Sequence, residues 1–337
     1  MTASSHDKPH ARDTLLVLIP LQPPALQALG DRYELIYEPK ALREDPEGLW
    51  ARLDAHQPQR RLSLRAVLTN GTTGLDAAEM DRLPALGLIA CFGAGYENVD
   101  LDAARARGIR VSHAPGANNA TVADHALALM LGLARGLVGL DAAVKRGDWE
   151  SSRAARPTLN GARLGLVGMG HIGQAIAARA AAFDMSRIAY CTRTPRPELG
   201  PRHQHVGSVL ELARDVDYLV LACPGGPATK HLVNREVLRA LGPDGFLVNV
   251  ARGSVVDTEA LIAALQAGEI AGAGLDVLED EPEVPAALLQ QGAVSDRVLL
   301  TPHVSGRSPA AQGAQVGNVV ANLERFFRGE GLVSEVV

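Results

Sequence analysis

Lysine is almost missing from this 337-residue chain: Lys8, Lys40, Lys145 and Lys230 stand against 29 arginines. In an alanine-rich sequence that bias carries no functional reading of its own. Cysteine is equally sparse. Cys91, Cys191 and Cys223 are odd in number, far apart and without C-x-x-C spacing, so neither a disulfide framework nor a zinc site is suggested, and no metal is expected. An excess of positive charge is missing as well. With a formal net charge of −5, the chain has no electrostatic reason to bind nucleic acid or an anionic membrane surface. Long hydrophobic runs are the last absence. Residues 1–13 are polar, Leu15–Leu21 is too short for a signal h-region followed by a cleavage site, and His125–Leu140 is interrupted by Arg135 and several glycines. A cytoplasmic, reducing location and small-molecule chemistry are the resulting expectations.

What is present is material for a large core: 47% of residues are hydrophobic, and the length suggests about two domains. After a start expected to be disordered, short β-rich runs at Thr14–Ile19, Tyr33–Tyr37, Ala66–Thr69, Leu86–Cys91 and Ile109–Ser112 alternate with helical or polar stretches, which predicts a small parallel α/β unit. Glycine-rich segments at Asn70–Thr73 and Phe92–Tyr96 follow two of these runs directly, where open α/β sheets bind ligands or simply turn. From Asn119 to Arg135 the apolar spacing becomes helical and long, a helix that crosses between domains. Asp124 and His125 lie near its start and read as capping and interface residues. Trp149 reads as a core or partner-contact aromatic.

A second alternating region opens with Leu164–Gly173. There an apolar run stops at Gly168, Gly170 and Gly173, which fit G-x-G-x-x-G: a turn, a close approach to a pyrophosphate, and helix-on-strand packing. Further strands are predicted at Ile188–Cys191, Tyr218–Ala222, Phe246–Val250, Ala271–Leu275 and Val298–Leu300, with helices between them and a last helix over Ser308–Phe327. This is the rhythm of a doubly wound parallel sheet. At the end of the strand after the glycine helix, an acid would normally hold the adenosine ribose. Thr192-Arg193-Thr194 offers instead a guanidinium and two hydroxyls, donors suited to a 2′-phosphate, so NADPH is expected over NADH.

Three later strand ends carry polar residues. Arg252 follows Val248–Ala251, a carboxylate cluster from Asp276 to Glu281 follows the next strand, and His303 follows Thr301-Pro302. A guanidinium fork can hold and polarise a 2-keto acid, and a histidine is the natural proton donor near neutral pH.

With Gly93–Asp100, Thr121–His125, the glycine motif, Asn249–Gly253, Asp276–Pro282 and Thr301–His303 together, the chain resembles the D-isomer-specific 2-hydroxyacid dehydrogenase family from about Leu15 onward, with the character of its NADPH-preferring glyoxylate/hydroxypyruvate reductases. The resemblance implies a Rossmann cofactor domain (118–305) inserted into a smaller, discontinuous, flavodoxin-like α/β substrate domain (1–117 and 306–337), and a homodimer formed through the cofactor domains. It implies Arg252, Glu281 and His303 as catalytic residues, with Glu281 favouring the imidazolium form of His303. Ala94 and Gly95, with Arg252 and His303, would hold the substrate. Gly168, Gly170, His171, Ile172, Gly173, Thr192, Arg193, Thr194, Cys223, Pro224, Val250, Ala251 and Asp276 would line the cofactor. Two departures stand out: Asp124 replaces the family's usual glutamate, and the ribose-binding acid is absent. The alternatives are reduction of a longer acid such as 2-ketogluconate, formate or phosphite oxidation, and a dinucleotide-sensing corepressor.

Overall fold

The computed structural model describes residues 12–56, 58–289, 294 and 297–337. The expected disordered start therefore lies, up to residue 11, outside the described residues. Two compact units form, one running to Asn118 and resuming at Ser308–Val337, the other Asn119–Arg307. The breaks fall one and two residues later than the sequence boundaries at 117 and 305.

The first unit holds a parallel sheet of β1 (Thr14–Val17), β2 (Glu34–Tyr37), β3 (Ala66–Thr69), β4 (Leu88–Cys91) and β5 (Arg110–Ser112), in the order β2-β1-β3-β4-β5. Every residue of β3 and β4 is buried, as the uninterrupted runs Ala-Val-Leu-Thr and Leu-Ile-Ala-Cys require of strands covered on both faces. Alternate side chains feed two layers. Leu16, Val67 and Ile89 meet Leu49, Trp50 and Leu53 of the helix Pro46–His56, whereas Leu15, Leu68 and Leu88 share a layer with Leu323 and Phe326 of the helix Pro309–Phe327. The helices at Pro46–His56, Pro58–Ser63 and Ala77–Asp81 escape a periodicity reading because they are short and carry few apolar positions.

The second unit holds β6 (Arg163–Val167), β7 (Arg187–Cys191), β8 (His203–His205), β9 (Tyr218–Leu221), β10 (Phe246–Asn249), β11 (Gly272–Leu275) and β12 (Val298–Leu300). All pairings are parallel, in the order β12-β11-β10-β9-β6-β7-β8. The chain builds outward from β6 to β8, then returns to β9 and builds the other way. The strand order thus reverses between β6 and β9, the crevice where doubly wound sheets bind ligands. Helices Asn119–Arg135 and His171–Ala181 pack one face, and Val209–Arg214, Arg235–Leu241 and Thr258–Ala267 the other. The edge strand β8, His-Gln-His, has no apolar alternation to betray it. Among the described residues, no single helix is long and apolar enough to cross a membrane.

Candidate active site

The glycine turn follows β6 directly. Gly168 sits at φ +96°, a left-handed conformation that L side chains rarely adopt, and a Cβ there would lie 2.7 Å from the Ala222 carbonyl oxygen at the end of β9. At Gly173 a Cβ would lie 2.3 Å from the Gly168 oxygen, so this glycine lets the helix close on the turn. Gly170 differs from both: beyond its chain neighbours and its own helix backbone, no atom of the described residues lies within 4 Å of where its Cβ would be. It is the N-cap of the helix His171–Ala181 and supplies no side-chain cap. The first backbone N–H groups, at His171 and Ile172, have no acceptor among the described residues, and the helix dipole lies behind them. A pyrophosphate fits this place. The turn is braced at the Met169 carbonyl, which accepts from Gln174 Nε2 at 3.2 Å and Arg196 Nη1 at 2.7 Å.

Beyond β7, the Thr192 hydroxyl donates to the Thr194 carbonyl at 2.8 Å and shapes the loop. Arg193 and Thr194 are exposed. The Arg193 guanidinium has no hydrogen bond or ion pair among the described residues, unlike Arg196, which is tied to Met169 and to Glu198 at 2.7 Å. Beyond β9, Cys223 is half-buried beside Gly168, and burial pushes its thiol up to about 11; Pro224 is exposed. Val250 and Ala251, just past β10, are each 5% exposed.

Arg252, Glu281 and His303 leave the same end of three neighbouring strands, β10, β11 and β12. Buried Asn249 sets the first loop: its amide donates to the Arg252 carbonyl at 2.9 Å and its oxygen accepts from Ala251 N at 3.0 Å. His303 Nδ1 donates to Glu281 Oε2 at 2.8 Å, and Glu281 Oε1 accepts from Leu278 N at 2.9 Å. Burial raises the Glu281 carboxyl, but the His303 hydrogen bond and charge outweigh it and hold the group below its ordinary value. His303 itself sits at φ +51°, backbone strain of the kind retained at functional sites. Its N–H donates to the Asp276 carbonyl at 2.8 Å, which fixes the strained residue.

Asp276 has no exposed side-chain surface. Oδ1 accepts from Thr301 Oγ1 at 2.6 Å and Val304 N at 2.9 Å, and Oδ2 from Ser305 N at 2.9 Å. Burial raises this carboxyl too, and the bonds from Ser305, Thr301 and Val304 reverse the effect and hold it down. The side chain expected along the cofactor thus anchors the His303 loop.

His125 corrects the capping reading. It lies in the second turn of its helix, and its Nε2 meets Thr301 Oγ1 at 2.9 Å. Since Thr301 gives its one hydroxyl proton to Asp276, His125 must be the donor. Asp124 is no cap either, pairing with Arg179 Nε at 2.5 Å. Trp149 is 61% exposed, which removes the core alternative.

Two glycines, Gly225 with no signal in sequence and Gly253 at the end of the matching Asn249–Gly253 segment, complete the geometry. A Cβ on Gly253 would lie 1.9 Å from the Leu278 carbonyl, so the Arg252 and Glu281 loops touch backbone to backbone, and a Cβ on Gly225 would lie 2.8 Å from Arg252 Cγ. Only a missing side chain permits either approach. Ala94 and Gly95 belong to the other unit, in the loop after β4, where the Ala94 carbonyl meets His113 Nδ1 at 3.0 Å. Among the described residues, no group of three or more His, Cys, Asp or Glu side chains is placed to hold a metal ion.

Residues 127–305 match the family model described as "D-isomer specific 2-hydroxyacid dehydrogenase, NAD binding domain". The chain is 41% identical over 276 residues to a hydroxyphenylpyruvate reductase of Plectranthus scutellarioides, covering 82% of this chain and 86% of that one. It is 39% identical over 276 residues to a 2-ketogluconate reductase of Gluconobacter oxydans, covering 82% and 87%. Among solved structures, an NADPH-dependent glyoxylate/hydroxypyruvate reductase of Sinorhizobium meliloti, in complex with NADP and malonate, superposes with a TM-score of 0.85 at 38% identity and covers 97% of each chain. Glycine turn, strand-end triad and kinship agree: the chain belongs to the D-isomer-specific 2-hydroxyacid dehydrogenase family, oxidoreductases built on a nicotinamide dinucleotide.

Proposed function

We propose that the protein reduces a small 2-keto acid, glyoxylate or hydroxypyruvate, to the D-2-hydroxy acid with NADPH. The observation that carries this reading is the half-buried Glu281 carboxylate hydrogen-bonded to His303, the two lying past β11 and β12, beside the β10 strand that ends at the Arg252 loop. When bound, the dinucleotide supplies the hydride to the substrate's C2. Arg252 pairs with the substrate carboxylate through two N–H groups, which orients the ketone and offsets charge developing on its oxygen. His303 Nε2 gives that oxygen its proton, while Glu281, accepting at Nδ1, fixes the tautomer and ring plane and balances the imidazolium charge. In the reverse direction the same nitrogen removes the hydroxyl proton. A panel of glyoxylate, hydroxypyruvate, 4-hydroxyphenylpyruvate and 2-ketogluconate with each nicotinamide tests the reading. Turnover confined to 2-ketogluconate selects the longer-acid alternative, which the Gluconobacter relative favours. Absence of turnover with every acid overturns the proposal and leaves the corepressor-like alternative.

The choice of NADPH rests on Arg193, exposed and unpaired among the described residues, in a strand-end segment, Thr192–Thr194, without a carboxylate; Glu198, further along the loop, is taken by Arg196. One charge-assisted contact to a 2′-phosphate contributes about 1.5–3 kcal/mol. Arg193→Ala should therefore lower kcat/KM for NADPH roughly 10- to 100-fold and leave NADH within about twofold. An unchanged NADPH constant removes this residue from the assignment.

A homodimer is part of the same proposal. The helix Leu137–Lys145 buries none of its residues within the chain, and Leu137, Val138 and Val144, with Trp149 beyond it, are 54%, 63%, 45% and 61% exposed. A second copy of this chain is the occupant such a stripe fits. Sedimentation at micromolar concentration should give a dimer, and Val138→Glu with Trp149→Glu a monomer. A wild-type monomer overturns this part.

A further inference from the structure

A second histidine–carboxylate pair lies in the same unit, outside the site as described. His231, in the loop after β9, donates from Nε2 to Glu279 Oε1 at 2.6 Å, and Thr258 Oγ1 donates to Glu279 Oε2 at 3.0 Å. His231 sits at φ +50°, nearly the backbone conformation of His303, and such strain persists only where the surroundings hold it. Here they do: its N–H donates to the Ser254 carbonyl at 2.8 Å, and two residues on Val233 N donates to the Val255 carbonyl at 3.0 Å.

These contacts converge on one segment. Residues 253–258 follow Arg252 directly. On one side they are bonded to the His231 loop. On the other, Gly253 abuts the Leu278 backbone and Thr258 bonds Glu279. The Glu279–His231 bond joins the two flanking loops, so the segment carrying Arg252 is enclosed in a ring of three strand-end loops. Gly225, in the same loop as His231, packs on Arg252 Cγ. Glu279 is kept as a carboxylate: burial raises it, but the bonds from His231 and Thr258 outweigh this and lower it.

We infer that His231 and Glu279 form a positioning pair that holds the Arg252 guanidinium in register for the substrate carboxylate, separate from the acid–base pair His303 and Glu281. The inference rests on Arg252 as the ligand of that carboxylate. A guanidinium fork makes two parallel bonds only in one plane and at one depth, so a loop free to shift loses both together.

The test uses the full-length protein with whichever keto acid wild type reduces best, so that wild-type turnover checks the functional reading and only the variant-to-wild-type ratio checks this one. Glu279→Ala should raise KM for the keto acid about tenfold or more, with the Kd for NADPH, read by fluorescence, within twofold. Its kcat–pH profile should keep the wild-type limbs, because His303 and Glu281 are untouched. Glu279→Gln, whose amide oxygen still accepts from His231 while its NH2 donates to the Thr258 hydroxyl, should recover most of the KM. His231→Gln, which still donates, should do the same where His231→Ala does not. In an Arg252→Lys background, Glu279→Ala should add less than twofold, because the plane it protects is already gone. A KM within twofold in Glu279→Ala, a displaced pH limb, a parallel loss of NADPH affinity, or a full additional effect in the Arg252→Lys background overturns the inference.

Discussion

Replacing His303 with alanine is expected to lower kcat about 10³-fold, with NADPH binding unchanged. A positioned proton donor contributes roughly 10²- to 10⁴-fold, and at 10³-fold the loss is about 4 kcal/mol of transition-state stabilisation. The middle of that range is appropriate here because the residue is held twice, the ring by Glu281 at Nδ1 and the main chain by its N–H bond to the Asp276 carbonyl. Without the imidazole, water must protonate the oxygen. The glycine turn, at the far side of β9 and β10 from β11, does not depend on the histidine. A variant retaining more than a tenth of the wild-type kcat would remove His303 from the acid–base role. Glu281→Gln is the milder companion, since its amide oxygen still accepts from Nδ1 but carries no charge. The carboxylate also links activity to stability. Its value is depressed in the folded chain, so its stabilising contribution is complete above the ordinary glutamate range and is lost as pH falls through the depressed value. The acid limb of a Tm–pH profile below about pH 5 should be flatter in Glu281→Gln than in wild type.

Strand ends were the legible part of this molecule. β3 and β12 fall on their predicted runs residue for residue, and β6 stops at the glycines that end it, because a parallel strand covered on both faces must be apolar and must then turn. Residue roles within a polar cluster were not legible by spacing. Asp276, Glu279 and Glu281 read as one acidic stretch, yet one is wholly internal and the other two bind different histidines. Which carboxylate meets which partner is decided by loops 20 to 50 residues away in sequence, as the His231–Glu279 separation of 48 shows. The resemblance singled out Glu281 and left Glu279 unassigned. His125 was misplaced for a similar reason: a helix-start rule acts within one turn, and its partner Thr301 lies 176 residues away. Gly225 is invisible in a chain with 34 glycines until its approach to the Arg252 side chain is known, and the Asn249–Gly253 segment named Gly253 without the Leu278 backbone it touches.

The loss of Arg252 should be of similar size but different in kind. Arg252→Ala removes two charge-assisted hydrogen bonds to the substrate carboxylate, each about 1.5–3 kcal/mol, so kcat/KM for the keto acid should fall roughly 10³-fold or more. Part of the effect must appear in KM, because the carboxylate is present in ground state and transition state alike. The remainder must appear in kcat, because the guanidinium also offsets charge that develops only as hydride arrives. His303→Ala, by contrast, should act almost wholly on kcat. Arg252→Lys separates orientation from charge: the ammonium keeps the charge but not the planar fork, so most of the orientation loss remains. Free guanidinium added to Arg252→Ala should restore some turnover if the cavity left by the side chain is intact, and the buried Asn249 bonds to the Ala251–Arg252 backbone are what keep that loop in place. Arg252→Ala with an unaltered KM and a kcat within tenfold of wild type would place the substrate carboxylate elsewhere, and with it the D-stereochemistry, since the hydride face is set by which group the arginine holds.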